Sequence, residues 1–118
     1  VGKIIWLDKE SDIDKITAVS GSGPAYYFLF IEYLISEAAK LGLKTKIAEE
    51  LVYQTAFGSI DLLLKGKKSS RELRKIIAVK GGTTEAAINI FERKSQFKKI
   101  IGQALNEAYN RSKKLGYY

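Results

Sequence analysis

Two short runs hold the residues best able to do chemistry in this chain: Gly81-Gly82-Thr83-Thr84, and Ser20-Gly21-Ser22-Gly23 ahead of Pro24-Ala25-Tyr26. Each sets small, donor-rich residues before an apolar, helix-prone stretch. The first N–H groups of a helix have no partner inside it, and the aligned peptide dipoles place partial positive charge there. Glycines in front permit positive φ and let a ligand come close to the backbone. Residues 81–84 therefore offer backbone donors and two hydroxyls, a composition that suits a carboxylate or a phosphate. A plain helix–helix turn capped by Thr83 or Thr84 uses the same residue types. Pattern alone leaves both readings open, and the same holds for residues 20–23.

Several chemistries are excluded by what is missing. The chain has no cysteine and no histidine, so disulfides, thiolate metal sites, the usual zinc ligands and the commonest general base are all absent. No metal site is expected. Residues 20–23 are not a phosphate-binding loop, because the Gly-Lys-Ser/Thr ending is lacking. They are not a dinucleotide fingerprint either, since the third glycine and the βαβ unit are missing. Glu49 and Glu50 sit side by side instead of on one helix face, which argues against a two-carboxylate hydrolase. No catalytic side chain is singled out.

The elements that must position these runs are helical. Residues 24–41 predict a first long helix, with Pro24 at its first position, Ser22 or Gly23 as cap and Gly42 as its end. Its polar residues Glu32, Ser36, Glu37 and Lys40 form one narrow stripe, and the rest is Ala, Tyr, Phe, Leu or Ile. A helix apolar over most of its circumference must be covered on several sides, which points to a core shared between subunits. Thr45 is expected to cap a second long helix over residues 46–65, closed by Gly66. Gly58 inside it suggests a close helix–helix approach. Ser69-Ser70-Arg71-Glu72 reads as a capping box for a short helix to about Ala78. A further helix is expected over residues 84–93. Ser95 is expected to cap the last, over residues 96–115, with Phe97, Ile100, Ile101, Ala104, Leu105, Ala108 and Tyr109 at helical spacing. Lys3-Ile4-Ile5-Trp6-Leu7 reads as one short strand or arm whose partner lies elsewhere. The fold class is all-α: a bundle of about five helices interleaving with a second subunit, preceded by that arm.

Hydrophobic content of 46% with 28% charged residues is that of an ordinary soluble domain. No signal peptide or membrane span is evident, so a cytoplasmic protein with no membrane partner is expected. No methionine occurs, even at position 1, and the chain is expected to be a piece of a longer protein. The net charge of +7 raises nucleic acid as a partner. The lysines are spread along the chain without interleaved aromatics, and they read as solvated helix faces, not a nucleic-acid surface.

Taken together, Ile16-Thr17-Ala18-Val19-Ser20-Gly21-Ser22-Gly23-Pro24-Ala25-Tyr26, Ala39-Lys40-Leu41-Gly42-Leu43, Gln54-Thr55-Ala56-Phe57-Gly58-Ser59 and Gly81-Gly82-Thr83-Thr84 closely resemble pyrroline-5-carboxylate reductase, in its C-terminal dimerisation domain. The resemblance covers nearly the whole chain, in order. It implies reduction of 1-pyrroline-5-carboxylate to proline with NADP or NAD as cofactor, bound mainly by an N-terminal Rossmann domain. Residues 1–15 would be the end of that domain or its linker, and residues 16–118 the helical dimerisation and substrate-binding domain. It further implies a homodimer, larger rings of dimers, and a substrate pocket at the dimer interface. Gly82, Thr83 and Thr84, with Gly81 beside them, would hold the substrate carboxylate through backbone N–H groups and the Thr84 hydroxyl. Ser20, Gly21, Ser22 and Gly23 would line the nicotinamide end. The family usually reads Ser-Pro where Val79 and Lys80 stand, which removes one hydroxyl and the rigid ring. Lys80 either adds positive charge beside the carboxylate or points to solvent. Alone, the piece would be inactive. The alternatives are a basic helical nucleic-acid-binding module and a purely structural oligomerisation domain.

Overall fold

The computed structural model describes residues 11–116. They are all-α: α1 (Ser11–Ile16), a π-helical turn (Thr17–Gly21), α2 (Gly23–Lys40), α3 (Thr45–Lys65), α4 (Ser70–Ile77), α5 (Thr83–Phe91), a short 3-10 turn (Arg93–Ser95) and α6 (Gln96–Leu115). The five expected helices are present at about the expected lengths, with the short α1 as a sixth among the described residues. No strand occurs among the described residues. The strand or arm expected over Lys3 to Leu7 lies outside them.

The helix ends follow local chemistry, with three departures. Ser69 caps α4 as the sequence indicates: its Oγ accepts from Glu72 N–H at 3.1 Å, and Glu72 Oε1 accepts from Ser69 N–H at 3.2 Å. Replacing Ser69 with alanine should cost about 1 kcal/mol, read as a lowered Tm in thermal unfolding. Gly42 leaves α2 at φ +110°, a conformation that glycine adopts freely. Thr45, by contrast, is the first residue of α3 and not its cap; Lys44 holds the cap position with no side-chain bond. Ser95 does stand at the cap of α6, but at φ 55° and ψ 24°, left-handed values from which its hydroxyl makes no cap bond. The third departure is that α2 has no free start. Ser22, at φ −86° and ψ −16°, is already helical, and the chain runs from α1 through the π-helical turn into α2.

The chain divides into two compact bodies, one running to Tyr27 and resuming at Ser95, the other from Phe28 to Lys94. In the first, α6 packs on α1 and on the π-helical turn. At its centre Asp14 is fully buried, and Ser112 Oγ donates to Asp14 Oδ1 at 2.7 Å across 98 residues of chain. Leu105, Ala108 and Tyr109 of the expected α6 stripe are half-buried, whereas Phe97, Ile100 and Ile101 are exposed. In the second body, α2 and α3 line a groove of about 840 Å³ with Phe28, Ile31, Ile35, Ala39 and Tyr53.

Among the described residues only two apolar side chains are buried, Ala18 and Ala48. Large ones such as Tyr27, Phe28, Phe57 and Leu64 lie open. The accessible surface is 10197 Å². A compact monomer of 13.2 kDa exposes about 6,400 Å², and two separate compact bodies of these sizes would expose about 7,700 Å² together. The accessible surface exceeds both figures. This surface is built to be covered. The charged side chains behave differently: Lys40 pairs with Glu37, and Lys65 with Asp61, one turn away on solvated faces. The hydrogen bond and charge of Glu37 raise the pKa of Lys40.

Candidate carboxylate site at the start of α5

Between α4 and α5 the backbone makes two tight turns in succession. Ala78, at φ −82° and ψ 69°, is an inverse γ-turn in which Val79 N–H reaches Ile77 O at 2.9 Å. Gly82 N–H then bonds Val79 O at 3.0 Å, closing a four-residue turn with Gly81 at φ +78° in its third position. That angle belongs to a type II turn, which calls for glycine there and tolerates the exposed Lys80 before it. Gly82 is the cap of α5, and no side chain caps this helix. Thr83 and Thr84 are its first two residues. A threonine-capped turn, the alternative reading of the sequence, is therefore not what forms.

The four expected carboxylate ligands thus separate by role. Gly81 N–H is bound to Glu85 Oε1 at 3.0 Å, and Gly82 N–H to Val79 O. Neither glycine is free to donate. What they supply is access and curvature. The N–H groups of Thr83 and Thr84 belong to the first turn of α5, whose amides have no acceptor one turn earlier. Thr83 is exposed and Thr84 half-buried. Thr84 also lines a cavity of about 270 Å³ with Ser59 and Leu62 of α3 and Ser70, Leu73 and Arg74 of α4. Arg74 meets Glu92 at 3.3 Å. The site is closely shaped from one side: a Cβ on Gly82 would lie 3.1 Å from Val79 Cγ2 and 3.2 Å from the Val79 carbonyl oxygen.

Residues 20–23 lie in the other compact body and are built differently. Ser20 and Gly21 end the π-helical turn, and Ser22 N–H bonds Thr17 O at 2.8 Å, so no unpartnered helix start exists at Ser22. Ser20 and Gly21 are exposed, and Gly23 is buried. A Cβ on Gly21 would meet only Thr17, at 3.6 Å, and one on Gly23 nothing within 4 Å. Sequence reasoning named Val79 and Tyr26 without giving them a part in shaping the two runs, and it missed Glu85. The spacing of Glu85, third in α5, was the available signal, because a carboxylate there commonly folds back on the turn before it. No such local signal marked Tyr26 or Val79.

The fold is that of a helical domain whose α5 begins without a side-chain cap. Residues 10–115 match the family described as pyrroline-5-carboxylate reductase dimerisation, and the chain belongs to that family. It is 44% identical over 115 residues to a pyrroline-5-carboxylate reductase of Pseudomonas aeruginosa, covering 98% of this chain and 42% of the relative. With pyrroline-5-carboxylate reductase 2 of Bacillus subtilis the identity is 40%, over 90% of this chain and 38% of that one. The solved pyrroline-5-carboxylate reductase of Coxiella burnetii superposes with a TM-score of 0.92 at 43% identity, covering 98% of this chain and 42% of the solved one. That of Plasmodium falciparum, solved with NADP bound, gives 0.88 at 39% identity, over 96% and 43%. The chain thus spans about two fifths of the length of the curated relatives it matches. Among the described residues no helix is long and apolar enough to cross a membrane.

Proposed function

We propose that this chain is the dimerisation and substrate-binding half of a cytoplasmic pyrroline-5-carboxylate reductase, which reduces 1-pyrroline-5-carboxylate to L-proline with NADPH or NADH. The observation that carries the reading is the start of α5, where the Thr83 and Thr84 amides stand beside a glycine turn without a side-chain cap. The substrate carboxylate lies there, held by those two N–H groups and the Thr84 hydroxyl, while Gly81 and Gly82 clear its path. The dinucleotide, when bound, supplies the hydride for the imine carbon, and the imine nitrogen ends with a proton. Residues 20–23 line the nicotinamide end, where the exposed Ser20 and Gly21 leave backbone open to a ligand. The nucleotide-binding fold itself belongs to the part of the relatives that this chain does not span. Orienting the two reactants is what these residues contribute, which is how a site without histidine or cysteine can serve the reaction.

The partner is a second copy of this chain, with larger rings of dimers built from that pair. The large apolar side chains left open, among them Tyr27, Phe28, Phe57 and Leu64, are what an interface between copies would cover. Gly58 and Gly102 support the same reading. Neither meets any atom within 4 Å of an added Cβ, so both helices are open there to close approach by another chain.

The test compares the full-length protein with residues 1–118 alone. NAD(P)H oxidation on adding pyrroline-5-carboxylate is expected from the former only. Turnover by residues 1–118 alone, or none by the full-length protein, refutes the reading. Proline should raise the Tm of the dimer by binding the folded state.

A further inference from the structure

The π-helical turn, Thr17–Gly21, carries a defect that one side chain repairs. In a continuous α-helix the Ala18 carbonyl would accept from the N–H four residues on, that of Ser22. Here Ser22 N–H reaches back five residues to Thr17 O at 2.8 Å, so Ala18 O loses that donor. Ala18 is 2% exposed, and a carbonyl on a buried residue left without a partner is costly. Tyr26 Oη donates to Ala18 O at 2.6 Å from eight residues on, and the tyrosine is half-buried. On the other side Thr17 Oγ1 donates to Ile13 O at 2.9 Å, tying the turn to α1. Residues 19–25 are thus the loop of chain closed by the Tyr26–Ala18 bond. Ser20, Gly21, Ser22 and Gly23 all lie inside it. π-Helical turns of this kind recur at functional sites because they re-aim a short piece of helix at an energetic cost that another contact must offset.

We propose that Tyr26 is a positioning residue for hydride transfer: its hydroxyl holds the widened turn open, and with it the backbone of residues 20–23 that faces the nicotinamide. This rests on the function proposed above. Without the hydroxyl, the turn regains a carbonyl in need of a donor. The donor a regular α-helix would supply is the Ser22 N–H, and transferring it to Ala18 would narrow the turn and shift residues 20–22 by a fraction of a residue. Hydride transfer is sensitive to such a shift, since a displacement of about 1 Å in reacting groups can cost about a hundredfold in rate. Binding of the substrate carboxylate at α5 does not involve these residues.

The experiment uses full-length Tyr26→Phe, which keeps the ring and removes only the hydroxyl. Expected are a kcat lowered about ten- to a hundredfold, a KM for pyrroline-5-carboxylate within twofold of wild type, and a larger primary isotope effect with deuterated NADPH. Dimer content by light scattering stays at the wild-type level. In parallel, hydrogen exchange should reveal at least tenfold lower protection at the Ser22 amide, because the turn without its tyrosine anchor opens more often, with the α6 amides unchanged. A wild-type kcat and isotope effect, unchanged Ser22 protection, or a loss of activity that merely follows loss of dimer, each overturns the proposal. If the wild-type full-length protein fails to reduce pyrroline-5-carboxylate, the functional reading falls, and the isotope-effect arm with it; the claim of a hydroxyl-held turn then stands or falls on the Ser22 exchange.

Discussion

Gly82→Ala in the full-length protein should raise the KM for pyrroline-5-carboxylate about 10- to 100-fold while leaving the dimer intact. The figure follows from losing one or more hydrogen bonds to a charged group, worth about 1.5–3 kcal/mol each, with about 1.4 kcal/mol per tenfold. The cause is steric. The new methyl would sit 3.1 Å from Val79 Cγ2 and 3.2 Å from the Val79 carbonyl oxygen, and the second of these is backbone that cannot rotate away. The turn must open by some tenths of an ångström, and the Thr83 and Thr84 amides, fixed to it, swing off the carboxylate. Adding Val79→Ala removes one of the two close atoms and should restore part of the affinity. An unchanged KM in Gly82→Ala would mean that the substrate is held elsewhere.

The other large effect concerns the exposed apolar surface. Phe28 is 69% exposed in a single chain and lines the groove between α2 and α3. Phe28→Asp should therefore be nearly neutral for one copy in isolation. In a dimer that covers this face, the new carboxylate would be taken out of water without a partner, at a cost of several kcal/mol. The expected result is a shift from dimer to monomer in light scattering at micromolar concentration, with loss of reductase activity. A stable, active dimer formed by the Phe28→Asp variant would show that this face is not where the copies meet.

Much of the helical frame was legible because its signals are local. The Ser69/Glu72 box needs four consecutive residues and formed as read. The α6 stripe needs only helical spacing, and its limits at Gln96 and Leu115 came out as expected. Where the reading failed, the deciding quantity was a backbone angle that residue type does not dictate. A serine ahead of a helix usually caps it, but that geometry requires extended φ/ψ. Lys94 and Ser95 are instead both left-handed, at φ 54° and 55°, because the short connection between α5 and α6 turns there. The π-helical turn was illegible for a similar reason. Thr17-Ala18-Val19-Ser20-Gly21 is equally good loop or helix, and one extra residue per turn leaves no periodicity to detect. At the start of α5 the residue types signalled a helix start, yet which of its amides are bound emerged only with the turn. Which amides are bound and which are free depends on Val79 and Glu85, neither of which carries a ligand-binding signature.

The free donors at the head of α5 are peptide amides and an alcohol, groups that neither gain nor lose a proton anywhere between mild acid and mild base. An anion anchored there would be gripped with the same strength across that whole span of acidity. A change of turnover with acidity would then point away from these donors and toward groups that do titrate, the imine nitrogen among them, and the anchor would act as the constant against which that change is felt.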